Sequence, residues 1–264
     1  MTYAFCILAG MLRRDVLHHT AMTLAMLAGL LGANRMNKWK LLRRKLRYGF
    51  RHKFGFFQEP VVKTEQFGIR AGYRHRPENA FYDDTAQKDQ HQREVYEAAA
   101  AASKEIGAKK VFDIGCGSGF KLMKFFPDTE TVGFDLEPTL SFLRQTYPER
   151  QWATADFERD TDQADIVICA DVVEHIPNPD LLMQYLSRIT RGKLVISTPD
   201  RYRVYGWDHS GPPRNRAHCR EWSMDEFRIY VERWFNIEDH RITNFDDSTQ
   251  MIIGTPRSPA GPVA

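Results

Sequence analysis

The sequence predicts an α/β fold, a mostly parallel sheet with helices on both faces, on two observations. Apolar runs of strand length recur at residues 110–114, 131–135, 151–155, 165–170 and 193–197, separated by segments of helix- or loop-forming composition. Two further strand-like runs, 235–243 and 249–254, are joined by residues 244–248 alone, too short for a helical crossover, so this last pair is antiparallel. A chain of 264 residues, 42% hydrophobic and 27% charged, can bury such a core without staples.

The sheet domain is expected over residues 61–255, behind an appendage of residues 1–60 and ahead of a flexible tail, 256–264, with three prolines. In the appendage, residues 16–34 carry no Lys, Arg, Asp or Glu, but the most apolar part, 21–33, is shorter than the roughly 20 residues a membrane span needs. Arg13 and Arg14 ahead of it resemble the start of a signal peptide, whereas Leu31, Gly32 and Ala33 make a poor cleavage site. Residues 35–53 then hold nine Lys or Arg and no acid, interleaved with Trp39, Leu42, Leu46 and Phe50. This basic amphipathic pattern suits an anionic membrane surface, and equally a solvated face or an arm. Met36 is also a plausible start, which would make residues 1–35 an over-extended one.

Residues 55–82, rich in Gly, Pro and aromatics, read as a loop or lid. A helix is expected from Asp84 or Thr85 through Gln92, Val95 and Tyr96 to near Gly107. Pro138 and the pair Asn178 and Pro179 mark further helix starts, with Asn178 as the cap. Ser223 and Glu226 have capping-box spacing, and Trp222 and Phe227 stand where a hydrophobic staple would.

The net charge of +3 hides a split: 11 Lys+Arg against 2 Asp+Glu in residues 1–60, and 26 against 32 in the remainder. An acidic globular part argues against nucleic acid as the partner. Cys6, Cys116, Cys169 and Cys219 stand apart, with no Cys-x-x-Cys pair and no His at zinc-like spacing, so neither a disulfide framework nor a metal site is expected. Buried thiols suit a cytoplasmic chain, peripheral to the inner face of the membrane if the basic arm holds it there.

The sharpest feature is residues 111–119, Val-Phe-Asp-Ile-Gly-Cys-Gly-Ser-Gly, a strand running into glycines before a helix. Such glycines allow a tight turn and let a ligand lie against backbone amides. The next strand ends in Asp135, placed for ribose hydroxyls. The spacing is not that of a dinucleotide fingerprint, and Asp113 ahead of the turn would repel phosphate but suits a ligand with a positive amine.

In these residues the chain resembles the class I S-adenosylmethionine-dependent methyltransferases, whose first motif reads Asp-x-Gly-x-Gly-x-Gly. The resemblance implies a Rossmann-like seven-stranded sheet and S-adenosyl-L-methionine as cofactor. It would be held by Asp113, Gly115, Cys116, Gly117 and Gly119, by Asp135 and Leu136 at ribose and adenine, by Asp156 and Phe157 at the adenine edge, and by Asp171 and Val172 near the methionine moiety. Residues 165–176 resemble the branch that includes ubiquinone-type methyltransferases. Each acid also has a plainer reading: Asp113 paired with backbone, Asp156 capping the turn before Glu158, Asp135 ending a strand at the surface.

For a hydroxyl acceptor the chain must align the nucleophile, exclude water and remove a proton. His175, His209 and His218 follow strand ends, and His218 or His175 would be the base; His175 could instead pack at the start of the helix after Asn178. His209 and His218 bracket a polar loop after the fifth strand, long enough to read as a binding lid. Its Arg201, Arg214, Arg216 and Arg220 could hold a phosphate or carboxylate of the acceptor, or be solvated. Residues 211–222, with Phe81, Tyr82, Asp83, Asp84, Gln92 and Tyr96, resemble bacterial methyltransferases encoded with glycosyltransferases. That implies O-methylation of a sugar hydroxyl on a glycan or glycolipid. A quinone, lipid or other small-molecule acceptor, a non-catalytic cofactor-binding partner and an RNA methyltransferase are the alternatives. Against the last, Asp171-Val172-Val173-Glu174 stands where a base-methylating Asn-Pro-Pro-Tyr motif would be.

Overall fold

The computed structural model describes residues 65–78, 80–89, 91–243 and 248–257. The basic appendage, Cys6 and the tail beyond residue 257 lie outside them. Seven strands, β1 (Lys110–Ile114), β2 (Glu130–Phe134), β3 (Gln151–Ala153), β4 (Ala164–Ala170), β5 (Thr190–Pro199), β6 (Phe235–Thr243) and β7 (Thr249–Pro256), form one sheet in the order β3-β2-β1-β4-β5-β7-β6. The first five are parallel, and β7 runs antiparallel to both β5 and β6. Among the described residues six α-helices accompany them: α1 (Arg93–Ile106), α2 (Phe120–Phe125), α3 (Thr139–Thr146), α4 (Pro179–Ile189), α5 (Arg201–Val204) and α6 (Met224–Val231).

Period-two alternation sorts the strand side chains into two cores. Phe112, Val167 and Leu194 face Leu182, Tyr185 and Leu186 of α4 and Phe227 of α6. Their neighbours Val111, Ile166, Ile168 and Val195 face Val95 and Ala99 of α1, with Leu122 and Leu143. The middle of β4, Ile166 to Cys169, is fully buried, as a central strand covered on both faces requires. The chain leaves β1 toward β2 and β3 on one side and returns to β4 on the other. The loops after β1 and β4 therefore diverge and open a crevice at the carboxyl ends of the strands.

The predicted helix from Asp84 or Thr85 is shorter than expected and starts at Arg93. Gln92 adopts left-handed backbone (φ 61°). Its Nε2 there donates to the Ala170 carbonyl (3.1 Å) and to Asp171 Oδ2 (3.0 Å), a tie that helical backbone through 84–92 would forfeit. Gly107 ends α1 in left-handed conformation, as its position suggests. Pro138 and Pro179 stand at the starts of α3 and α4, but Asn178 makes no side-chain cap. The capping box of Ser223 and Glu226 is closed, and the Trp222 and Phe227 rings pack 5.7 Å apart.

The stretch between β5 and α6 is less irregular than its composition suggests. Asp200 caps α5 by accepting from Tyr202 N, and a parallel bridge joins Asp200 to Trp222. Three arginines from residues 65–78 hold the remainder. Arg70 donates to the carbonyls of Trp207 (2.9 Å) and His209 (2.8 Å), and Arg74 to that of Gly211 (2.9 Å). Arg76 donates to Pro213, Asn215 and His218, each at 2.7 Å. The described part of the expected lid is thus a strap across this loop.

Two acceptor-binding expectations are corrected by burial. Arg201 is fully buried, donating to Glu226 Oε1 (2.7 Å) and the Glu221 carbonyl (2.9 Å) beneath the Tyr73 ring. Arg220, 2% exposed, donates to the Ile176 (2.5 Å) and Pro177 (2.6 Å) carbonyls. Both guanidinium groups are spent on the fold. Among the described residues, no helix is long and apolar enough to cross a membrane.

Removing one partner of a buried ion pair strands the other charge, so Arg201→Ala is expected to cost about 3–5 kcal/mol in urea unfolding. Exposed Arg214→Ala should stay within about 0.5 kcal/mol.

Candidate active site

Asp113 at the end of β1 lies at the floor of the crevice with no exposed surface. Tyr96 OH donates to its Oδ2 (2.9 Å), while Oδ1 is buried without a hydrogen-bond partner. Burial raises its pKa to about 7, with Asp135 and Asp84 pushing the same way and Tyr96 and Lys121 pulling down. A buried carboxylate oxygen left unpaired is costly, and an ammonium group donating to it would remove that cost.

The turn that follows takes left-handed backbone at Gly115, Gly117 and Gly119 (φ 72°, 54° and 69°). The Val172 side chain packs onto Gly115, and a side chain at Gly117 would overlap the Asp84 carboxyl. The amide of Gly117 donates to Asp135 Oδ2 (2.8 Å) and that of Leu136 to Oδ1 (2.7 Å). One acid thereby ties the β1 turn to the end of β2. Leu136, 62% exposed, presents an apolar face at the crevice lip. Asp84 covers the turn from the strand-free segment before α1, and burial raises its pKa to about 6.

Other predicted ligands have local partners. Asp156 Oδ1 accepts from the amides of Glu158 (3.0 Å) and Arg159 (3.1 Å), which is the turn-capping alternative, and Phe157 stacks on Tyr185. Cys116 is buried, and burial raises its thiol pKa, so it packs rather than reacts. Asp171 is held in strained left-handed backbone (φ 56°) by Ser197 Oγ (2.7 Å) on Oδ1 and Gln92 Nε2 on Oδ2.

The loop after β4 brings His175 against His218, ring centroids 4.7 Å apart and nearly perpendicular. His175 Nδ1 lies 2.8 Å from the Ala217 carbonyl, so Nδ1 carries the proton and Nε2 the lone pair. Burial, then the neighbouring His218, lowers the pKa of His175 to about 4, leaving it neutral at physiological pH. Asn215 Oδ1 accepts from Ala217 N, so its Nδ2 faces His218 Nε2 (2.9 Å) and donates to it. His218 Nδ1 then donates to Glu221 Oε1 (2.6 Å). His209 does not join this pair. It rests on the Tyr205 ring (4.3 Å) and accepts from Gly211 N, so its role as base is replaced by one within its own loop. Arg214 and Arg216 remain exposed, Arg214 over the Tyr205 ring.

The family described as a methyltransferase domain matches residues 86–238, more than half of the chain. The chain belongs to that family. It is a class I, S-adenosylmethionine-dependent methyltransferase. The ubiquinone biosynthesis O-methyltransferase of Glaesserella parasuis serovar 5 is 31% identical over 110 residues, 35% of this methyltransferase and 46% of that protein. The chain thus matches under half the length of this curated relative. The magnesium protoporphyrin IX methyltransferase of Synechocystis PCC 6803, solved with S-adenosylhomocysteine, aligns with TM-score 0.51 at 17% identity. That alignment covers 83% of this methyltransferase and all of that chain. The N-methyltransferase NodS of Bradyrhizobium japonicum WM9, also solved with S-adenosylhomocysteine, aligns with TM-score 0.50 at 14% identity over 66% of this chain and 95% of its own.

The residues of the methyltransferase fit this cofactor: an orphaned acid for an ammonium, a turn with three glycines in left-handed backbone, and Asp135 at the end of the second strand. Sequence reasoning missed Glu174, Asn215 and Glu221, which surround the two imidazoles. The one signal for Glu174 was an acid closing the apolar run Val172-Val173.

A cationic amine binds the ionised form of Asp113, so affinity rises with pH until that acid is ionised and then levels off. For one group titrating near 7, S-adenosylhomocysteine should bind about tenfold tighter at pH 8 than at pH 6. Calorimetry across this range checks it; Asp113→Asn should bind weakly and lose most of the slope.

Proposed function

We propose that this methyltransferase places the methyl group of S-adenosylmethionine on a hydroxyl of a small-molecule or glycan acceptor, with a sugar hydroxyl the preferred class. The cofactor's sulfonium supplies an activated methyl carbon. Asp113 would hold the amine end, Gly115 to Gly119 would admit the ligand to the backbone, and Asp135 would meet the ribose hydroxyls. The chain's remaining task is to orient the acceptor and receive its proton.

The observation that carries the reading is neutral His175, packed on His218 beside Asp171 and Val172, with its Nε2 lone pair set by the Ala217 carbonyl. An alcohol needs such a base, whereas an amine acceptor brings its own lone pair. Oxygen as the methylated atom is also supported by the O-methyltransferase relative. The sugar class is supported by residues 211–222, whose exposed Arg214 and Arg216 suit an acidic group on a glycan. The basic stretch 35–53 would hold the enzyme against anionic headgroups, which fits a glycolipid acceptor.

Release of S-adenosylhomocysteine in the presence of glycan and lipid pools, with mass spectrometry of the methylated product, tests the assignment. His175→Ala is expected to lower kcat by about 10²-fold or more while S-adenosylhomocysteine affinity stays within about twofold. Undiminished turnover in that variant would remove His175 from the chemistry. For the membrane reading, the full chain should pellet with vesicles containing anionic lipid and a chain starting after Lys53 should not; equal pelleting counts against it.

A further inference from the structure

We propose that Glu174, His175 and His218 form a site for one divalent cation, which binds the acceptor hydroxyl beside the methyl donor. Glu174, His175 and His218 each offer one ligand atom, and these atoms all lie within 4.8 Å of one another. Bonds of about 2.0–2.2 Å from one central ion reach such a set after small side-chain movements.

Three features of the cluster point to a cation. The first is an orphaned acceptor. Glu174 is fully buried; its Oε2 accepts from Thr198 Oγ1 (3.0 Å), but Oε1 has no hydrogen-bond partner. A buried carboxyl oxygen without a partner is costly, and a cation would remove that cost.

The second is the arrangement behind the imidazoles. Both present Nδ1 to an acceptor, His175 to the Ala217 carbonyl and His218 to the Glu221 carboxylate. Metal-binding histidines are oriented in this way, with the far nitrogen fixed as donor so that the near one keeps its lone pair for the ion. The Asn215 amide that now faces His218 Nε2 lies on an exposed turn, and loading exchanges that neutral hydrogen bond for a metal bond.

The third is a second orphaned acceptor behind the cluster, on the acid that holds His218 Nδ1. Glu221 has its own Oε2 buried without a partner. A divalent ion offsets this accumulation of acids. Two imidazoles and one carboxylate suit ions such as Mn²⁺ or Co²⁺ and leave coordination positions open for the acceptor.

At such an ion an acceptor hydroxyl loses its proton to solvent more readily. The resulting oxygen attacks the methyl carbon: a C–O bond forms, the C–S bond breaks, and its electron pair returns to sulfur. No electron is gained or lost by the metal. The inference rests on the reading of this crevice as an O-methylation site, and it gives His175 the role of ligand in place of free base. It also revises the expectation of no metal site, which considered spacing around the cysteines; here the ligands converge from two loops.

The test uses the full chain freed of metal by chelation. Titration with Mn²⁺, followed by the spectroscopic signal of the free ion, should show one saturable site per chain. Glu174→Gln and, separately, His218→Ala should each weaken it at least tenfold, and Glu221→Leu, which removes the orienting acceptor, by about tenfold or more. S-adenosylhomocysteine affinity, measured on the same samples, should be unchanged and reports that the variants are folded. Turnover with the glycan pool should rise on adding Mn²⁺ and fall with chelator. No saturable Mn²⁺ binding, or equal binding by wild type and both ligand variants, overturns the site. Loss of S-adenosylhomocysteine binding with Mn²⁺ binding intact would instead strike the methyltransferase reading and leave the ion site standing.

Discussion

Buried acids held by neutral donors are the constraint on which the crevice is built. Asp113, Asp171 and Glu174 follow one another along the carboxyl edge of the sheet, and each receives a hydrogen bond from an uncharged group: Tyr96, Ser197 with Gln92, and Thr198. None of these donors neutralises its acid. Each fixes a carboxylate in place and keeps it in need of a cation, which is what a site for a sulfonium amino acid requires. The donors come from α1, from Gln92 just before it and from β5, so positions of whole elements follow from this one electrostatic condition. Gln92 in left-handed backbone is the clearest case, since helix geometry gives way there to reach Asp171.

Backbone plan and cofactor half were legible in the sequence because both depend on local pattern. Apolar runs of strand length at 110–114, 165–170 and 193–197 mark buried strands, and the short 244–248 link leaves only an antiparallel pairing. Likewise Asp113 and its glycines form one continuous stretch whose backbone demands are visible residue by residue. The acceptor half was less legible, for a physical reason. Arginine types in a polar loop suggest anion binding, yet whether a guanidinium faces solvent or a carbonyl depends on tertiary packing. Arg201 and Arg220 turn inward to carry backbone oxygens, while Arg214 and Arg216 do not. Glu174 and Glu221 escaped notice because each gains meaning only when the loops after β4 and β5 meet.

The strap of Arg70, Arg74 and Arg76 divides the molecule's labour between charge and chain. Six backbone carbonyls of the long loop find donors on side chains rather than on a helix or a neighbouring strand. Charge-assisted bonds to carbonyls are directional and strong, and they let an irregular path be held without regular secondary structure.

That strap also sets an order of events. Its contacts join residues 137 to 142 apart in sequence, nearly the span of the entire sheet. Contacts so distant repay their loop-closure entropy only after the intervening strands and helices have assembled. The glycine turn and Asp135, by contrast, are 18 residues apart and can meet early. A refolding chain would acquire the shape that grips the methyl donor before the one that receives the acceptor. The same asymmetry is built into the native protein: the strap holds the loop after β5, whereas the bond of Gly117 to Asp135 is made within the first two strands' own ends.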